Sequence, residues 1–142
     1  MIRNIIVLSL ILILGACSIE PQEINYGSDA CHYCSMTIVD RQHAAQLVTA
    51  KGRAYKYDAI ECMINDIDRR EDDIAILLVN DYSNPGALVQ AESATYLISE
   101  SIPSPMGAYL SAFTEAANAQ AIKNSAGGEV FNWESVQSEL PR

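Results

Sequence analysis

The stretch Ala44-Ala45-Gln46-Leu47-Val48-Thr49-Ala50-Lys51-Gly52-Arg53-Ala54-Tyr55-Lys56-Tyr57 runs directly into Asp58-Ala59-Ile60-Glu61-Cys62-Met63-Ile64-Asn65-Asp66-Ile67. The first part predicts two strands, Ala44 to Thr49 and Arg53 to Tyr57, turned at Lys51-Gly52. β-branched and aromatic content around a glycine turn supports a hairpin. The second part predicts a helix. Asp58 is placed to cap it, with Glu61 reaching back three residues later. Ile60, Met63, Ile64 and Ile67 fall at helical spacing and form one apolar stripe. Hairpin and helix in immediate succession point to an α+β chain.

Working outward, Asp68 to Asp73 ends the helical segment with charge. Ile74 to Val79 is an unbroken apolar run, read as a strand buried on both faces. Asn80 to Gly86 punctuates the chain. Leu88 to Ala91, Ala94 to Ile98 and Ala108 to Phe113 read as strands, Glu115 to Asn124 as an Ala-rich helix, and Glu129 to Trp133 as a closing strand after Gly127-Gly128. Strand, helix, strand thus occurs twice. The expected organisation is one domain over 31–142 made of two similar units, about 31–82 and 83–142.

Upstream, residues 1–16 carry the marks of an export signal. Arg3 supplies positive charge, Ile5 to Leu14 is apolar, and Gly15-Ala16 is small. The apolar run is about half of what spans a hydrocarbon core. Leu14-Gly15-Ala16-Cys17 looks like a bacterial lipobox, in which the Cys becomes the lipidated first residue of the mature chain. Several acyl chains on Cys17 would make a durable tether, since each buried methylene adds about 0.8 kcal/mol. The polar residues 17–30, with Pro21 and Gly27, read as the tether itself. The expected location is the outer side of a bacterial membrane, tethered by lipid.

The chain has 9 basic and 18 acidic side chains and a net charge of −9. Nucleic-acid binding is excluded by the lack of a basic footprint. Four cysteines are present. With Cys17 consumed by lipid, Cys31, Cys34 and Cys62 remain, an odd set that argues against a purely structural disulfide framework. No Ser-His-Asp motif, phosphate loop or H-E-x-x-H occurs.

The chemistry sits in Cys31-His32-Tyr33-Cys34-Ser35-Met36. Outside the cytosol such thiols oxidise unless something occupies them. Three readings compete. Thiol–disulfide exchange by Cys31 and Cys34 wants a C-x-x-C at a helix start, but Met36 to Val39 reads as a strand. Structural zinc wants four ligands, and only Cys62 and two histidines remain to complete it. Cu(I) accepts two or three soft sulfur ligands, which the segment supplies. If the segment is extended, Cys34 and Met36 share a face, though a core methionine is the plain alternative. Cys62 lies off the apolar stripe of its helix and in its first turns, where the helix dipole favours a thiolate; burial is the default for a free Cys. Met106, between Pro105 and Gly107, has no periodic pattern to pack it and is a further soft candidate. Met63 is on the stripe and reads as core. His32 is a candidate ligand or modulator, and His43 reads as a surface residue. Cys34 and Met36 are expected to form the centre of a metal site, with Cys31, Cys62 and Met106 as the candidates for completing it.

Taken together, Cys31-x-x-Cys34-x-Met36, Ala44-Ala45-Gln46-Leu47-Val48, Tyr57-Asp58-x-Ile60-Glu61-Cys62-Met63, Pro105-Met106-Gly107 before Ala112-Phe113, and Gly127-Gly128 before Trp133 resemble the NosL family, the accessory lipoproteins of nitrous-oxide reductase. Ser35 stands where the family's segment has Gly. The resemblance implies a non-enzymatic periplasmic Cu(I) chaperone. It implies delivery to the copper–sulfide centre of nitrous-oxide reductase with an ABC-type maturation complex. It also implies two β/α units related to the organomercurial lyase fold. Against it stand a membrane-tethered thiol–disulfide oxidoreductase and a zinc- or disulfide-held structural protein.

Overall fold

The computed structural model describes residues 18–141, so the expected leader and the expected lipidation at Cys17 lie outside the described residues. Among the described residues no helix is long and apolar enough to cross a membrane.

The hairpin forms where the sequence places it. β1 (Ala45–Thr49) and β2 (Ala54–Tyr57) pair antiparallel, with Ala45 opposite Tyr57 and Val48 opposite Ala54. Helix α1 (Ile60–Ile67) follows, then β3 (Ile74–Asp81) and β4 (Asn84–Gln90). After a single 3-10 turn at Ala91–Ser93 come β5 (Thr95–Ile98), β6 (Leu110–Phe113), α2 (Ala116–Ala126), β7 (Glu129–Phe131) and α3 (Trp133–Glu139).

Two antiparallel sheets result, in the orders β2-β1-β3-β4 and β6-β5-β7. Each opens with the same figure. The first strand takes the centre, its hairpin partner one side, and the strand after the helix the other side. The chain is thus α+β with a repeated hairpin-helix-strand unit, one strand richer than strand-helix-strand. β4 pairs with β3, so the first sheet reaches Gln90, past the expected boundary at 82/83.

The units share one core. Buried residues of β1, α1 and β3 form a single cluster with Tyr96, Leu110, Ala112, Val136 and Leu140. At the seam the Tyr82 N–H donates to Ala112 O at 2.8 Å, and Thr114 Oγ1 donates to Asp81 Oδ2 at 2.7 Å. β3 is buried only over its last four residues, not throughout; its carboxyl end leads into Tyr82, whose N–H meets Ala112 O of β6.

Three further expectations change. Met36 to Val39 forms no ladder; only an isolated pairing of Ala30 with Thr37 is present. Trp133 closes no strand. It opens α3, capped by Asn132, whose side chain accepts from Ser135 N while Ser135 Oγ accepts from Asn132 N. Residues 18–30 are part of the fold. Gln22 is clamped on both sides by the buried Gln46, its N–H donating to Oε1 at 2.7 Å and its carbonyl accepting from Nε2 at 2.6 Å. Ile24 enters the core.

Candidate metal centre

The loop from Cys31 to Met36 is folded back on itself. The Cys31 N–H donates to Met36 O at 2.8 Å and the Ser35 N–H to Cys31 O at 2.9 Å. Ser35 has φ 65, the left-handed region that glycine enters freely and serine only at a cost of about 1–2 kcal/mol. The His32 N–H donates to Lys56 O at 2.8 Å, stitching the loop to β2. This closure turns both cysteines inward and places the Cys31 sulfur where the N–H groups of Cys34 and Asp58 reach it. The Met36 N–H reaches Cys34.

Cys62 arrives from α1. It lies off the apolar stripe, as the periodicity indicates, yet is 1% exposed because the helix is packed on a second side by the Cys31 loop. Ile60, Glu61, Cys62, Met63 and Ile64 are all buried. Cys31, at 2% exposure, is sealed as well, while Cys34 is half-buried. All three are free thiols.

Asp58 completes the group. The expectation that it caps α1 is corrected: the N-cap is Ala59, with no side-chain capping bond. The Asp58 carboxylate instead turns to the sulfurs. Oδ1 accepts from the Cys34 thiol at 3.2 Å and lies 3.5 Å from Cys62 Sγ. The ligand atoms of Cys31, Cys34, Asp58 and Cys62 all lie within 4.8 Å of one another, close enough for one ion to meet them together.

The thiols do not titrate alike. Cys62 donates to Cys31, and this bond, with the N–H groups of Cys34 and Asp58, outweighs burial and brings Cys31 down to about 6. Burial pushes Cys34 up to about 11, against the help of the Met36 N–H. Cys62 is held far above the ordinary thiol range by its bond to Cys31, by burial and by the neighbouring negative charges. The thiolate is the form that ligates metal, so one ligand stands ready at neutral pH.

Met36 and Met106 are among the exposed large apolar side chains, at 51% and 43%. Met36 follows a left-handed residue, not an extended one, so period-two alternation does not pair it with Cys34. Met106 lines a surface groove with Tyr33, the residue between the two loop cysteines, and with Asn65 and Arg69. The Arg69 guanidinium sits 4.8 Å over the Tyr33 ring. Met63 is fully buried core. Asp58 and Glu61 are the residues a sequence reading misses. Asp58 stands four before Cys62, one helical turn away, and that spacing is the signal that could have found it.

Neither histidine joins the thiols. The His32 ring packs on Tyr55, centroids 4.4 Å apart. His43, far from a surface residue, is buried; Nδ1 is 2.9 Å from Asp40 Oδ2 and Nε2 is 3.1 Å from Ser111 Oγ. A Ser-His-Asp arrangement missing as a motif therefore exists in space. Ser111 is fully buried on β6, so no substrate reaches its hydroxyl, and the trio clips the two units together.

Glu61, beside Cys62, is 4% exposed. Its Oε1 accepts from Ser104 Oγ and from the Ala108 N–H at 3.4 Å. Its Oε2 is buried with no partner among the described residues. Such an orphan costs about 1–3 kcal/mol, more where the group is charged.

Comparison with known proteins agrees with this architecture. A solved structure described as the copper chaperone NosL from Shewanella denitrificans superposes with a TM-score of 0.75, covering 87% of this chain and 99% of that one at 17% identity, a likeness of fold. The copper-binding lipoprotein NosL of Stutzerimonas stutzeri is 30% identical over 132 residues, 87% of this chain and 69% of that protein. The NosL family model matches residues 21–141. The match spans the hairpin, the cysteine loop, α1 and the second sheet, and the chain belongs to the NosL family.

Proposed function

We propose that this protein is a membrane-anchored, periplasmic Cu(I) chaperone that supplies copper for the maturation of nitrous-oxide reductase, handing it on through an ABC-type maturation complex. One observation carries the reading: two free thiols of one loop and a third from α1 converge with a carboxylate, and they differ in burial. Cys31 and Cys62 are sealed, Cys34 is half-buried, and Met36 and Met106 stand exposed. Thiolates and thioethers are the donors that select Cu(I). A gradient of exposure suits transfer, because a recipient's ligand can approach through Cys34 before Cys31 and Cys62 let go. Family membership and the name of the Stutzerimonas stutzeri relative support copper as the cargo. The lipoprotein name of that relative and the lipobox at Cys17 support the anchor.

A thiol–disulfide oxidoreductase fits less well. Its attacking cysteine needs access and a helix start, whereas Cys31, the thiol brought down in pKa, is sealed in a loop. Asp58 does favour a second metal reading, since three thiolates and one carboxylate make a complete tetrahedral zinc set. Anaerobic competition between the mature protein and a coloured Cu(I) chelator tests the choice. One equivalent of Cu(I) should be held in the presence of excess Zn(II). Cys31→Ser, Cys34→Ser and Cys62→Ser should each weaken it by about tenfold or more, as loss of a soft donor requires. Unchanged affinity in all three, or displacement of copper by zinc, would overturn the proposal.

A further inference from the structure

Glu61 does something the copper site does not explain. It is a buried carboxylate, and no ion pair among the described residues involves it. Its two donors, Ser104 Oγ and the Ala108 N–H, bracket Pro105-Met106-Gly107. That segment is a closed turn, with the Gly107 N–H donating to Ser104 O at 3.0 Å and Gly107 at φ 79. Met106 stands exposed on it. One carboxylate oxygen of the residue next to Cys62 therefore fastens both ends of the turn that carries Met106. Glu61 belongs to the first unit of the fold, and both of its donors belong to the second. An apolar contact would hold that turn but let it slide; two hydrogen bonds to one atom set its register. The groove shared by Met106 and Tyr33 puts the thioether on the side of the Cys31–Cys34 loop. The second carboxylate oxygen is left buried without a partner among the described residues.

We propose that Glu61 is a positioning residue that holds the candidate ligand Met106 in register with the thiol cluster. This rests on the Cu(I) reading above.

The test uses mature protein with carbon-13 in the methionine methyl groups, titrated anaerobically with Cu(I). In the parent, the Met106 methyl resonance should move on loading while that of Met63 stays, since Met63 is sealed in the core. In Glu61→Ala the Met106 resonance should no longer move, and affinity should fall about tenfold, as when support behind a ligand is removed. In a Met106→Leu background the same substitution should change affinity no further. Ser104→Ala should weaken the response in the same direction. If Glu61→Ala displaces the Met63 resonance, the fold is disturbed and Ser104→Ala decides.

Full movement of Met106 in Glu61→Ala or Ser104→Ala overturns the inference, as does an equal loss of affinity with and without Met106. A parent that takes up Cu(I) with a motionless Met106 methyl sinks this inference alone. A parent that takes up no Cu(I) sinks the function with it.

Discussion

The thiols of Cys31, Cys34 and Cys62 share two protons in the metal-free protein at neutral pH, and this has a consequence for stability. Cys31 ionises at about 6 in the fold, against 9.0 for an ordinary thiol. Between those values the unfolded chain holds a proton that the folded chain has lost. Stability from Cys31 is thus fully present above pH 9 and is lost as pH falls through 6. Above 9 the sign reverses, because the fold keeps Cys34 and Cys62 protonated while the unfolded chain releases both protons. The thiol contribution should therefore peak near pH 9. Ultraviolet absorbance of the thiolate should show one equivalent appearing around pH 6. Cys62→Ala, which removes the largest cause of the lowered value, should push that step toward 9. A step that stays at 6 in the variant would refute the hydrogen bond. At this scale the sequence exposes Cys62 as off-stripe but disguises Asp58, because an Asp ahead of a helix is as good a cap as it is a ligand. Only the chain's path tells which way the carboxylate turns.

At the scale of elements, tight approaches explain where the hairpins, loops and helices fit. Gly128 precedes β7 with φ 102, and a Cβ there would lie 2.2 Å from Ile98 O. Gly127, with φ 76, has nothing within 4 Å of its Cβ position. Gly128→Ala should cost about 4 kcal/mol from strain and displaced backbone together; Gly127→Ala, at φ 76 and ψ −170, should cost about 2 kcal/mol from backbone strain alone. Denaturant midpoints of the two variants measure both, and equal losses would refute the close approach. The β1–β2 hairpin and α1 are legible because a glycine turn and a helical stripe sit on consecutive residues. α3 escapes because Val136 is its one buried residue, which leaves no stripe to detect; its Asn132–Ser135 cap was the available clue. The Cys31 loop looks like a strand because Thr37, Ile38 and Val39 have β propensity. The backbone there is instead turned by Ser35 in the left-handed region, and propensity is blind to that.

For the whole molecule, the candidate ligands tie together parts distant in sequence: Cys31 from the loop, Asp58 from the end of β2, Cys62 from α1. An ion held by all of them binds the folded chain and not the unfolded one. Cu(I) at a free concentration of about 100 times its dissociation constant should therefore stabilise the protein by about 2.7 kcal/mol. Thermal melts under anaerobic conditions should show the rise, and Cys34→Ser should lose most of it; a melt indifferent to Cu(I) would refute the shared site. The start of the described residues is also placed by the fold. The carbonyl of Ser18 lies against Gly52, 3.1 Å from where a Cβ would stand, at the β1–β2 turn. Asp58 lies at the other end of β2, about 20 Å from Gly52 at the rise of a strand. The amino-acid sequence by itself determined the α+β class, the β1–β2 hairpin with α1 behind it, and the supply of soft donors in the Cys31–Met36 segment. Periodicity, turn residues and residue chemistry are local properties, readable one segment at a time. The tertiary structure alone decided that Asp58 faces the sulfurs, that Glu61 fastens the turn carrying Met106, and that His43 and Ser111 meet in the core. Each of these joins residues from separate elements, and it is the packing of the two sheets and α1 that determines which side chains come within reach.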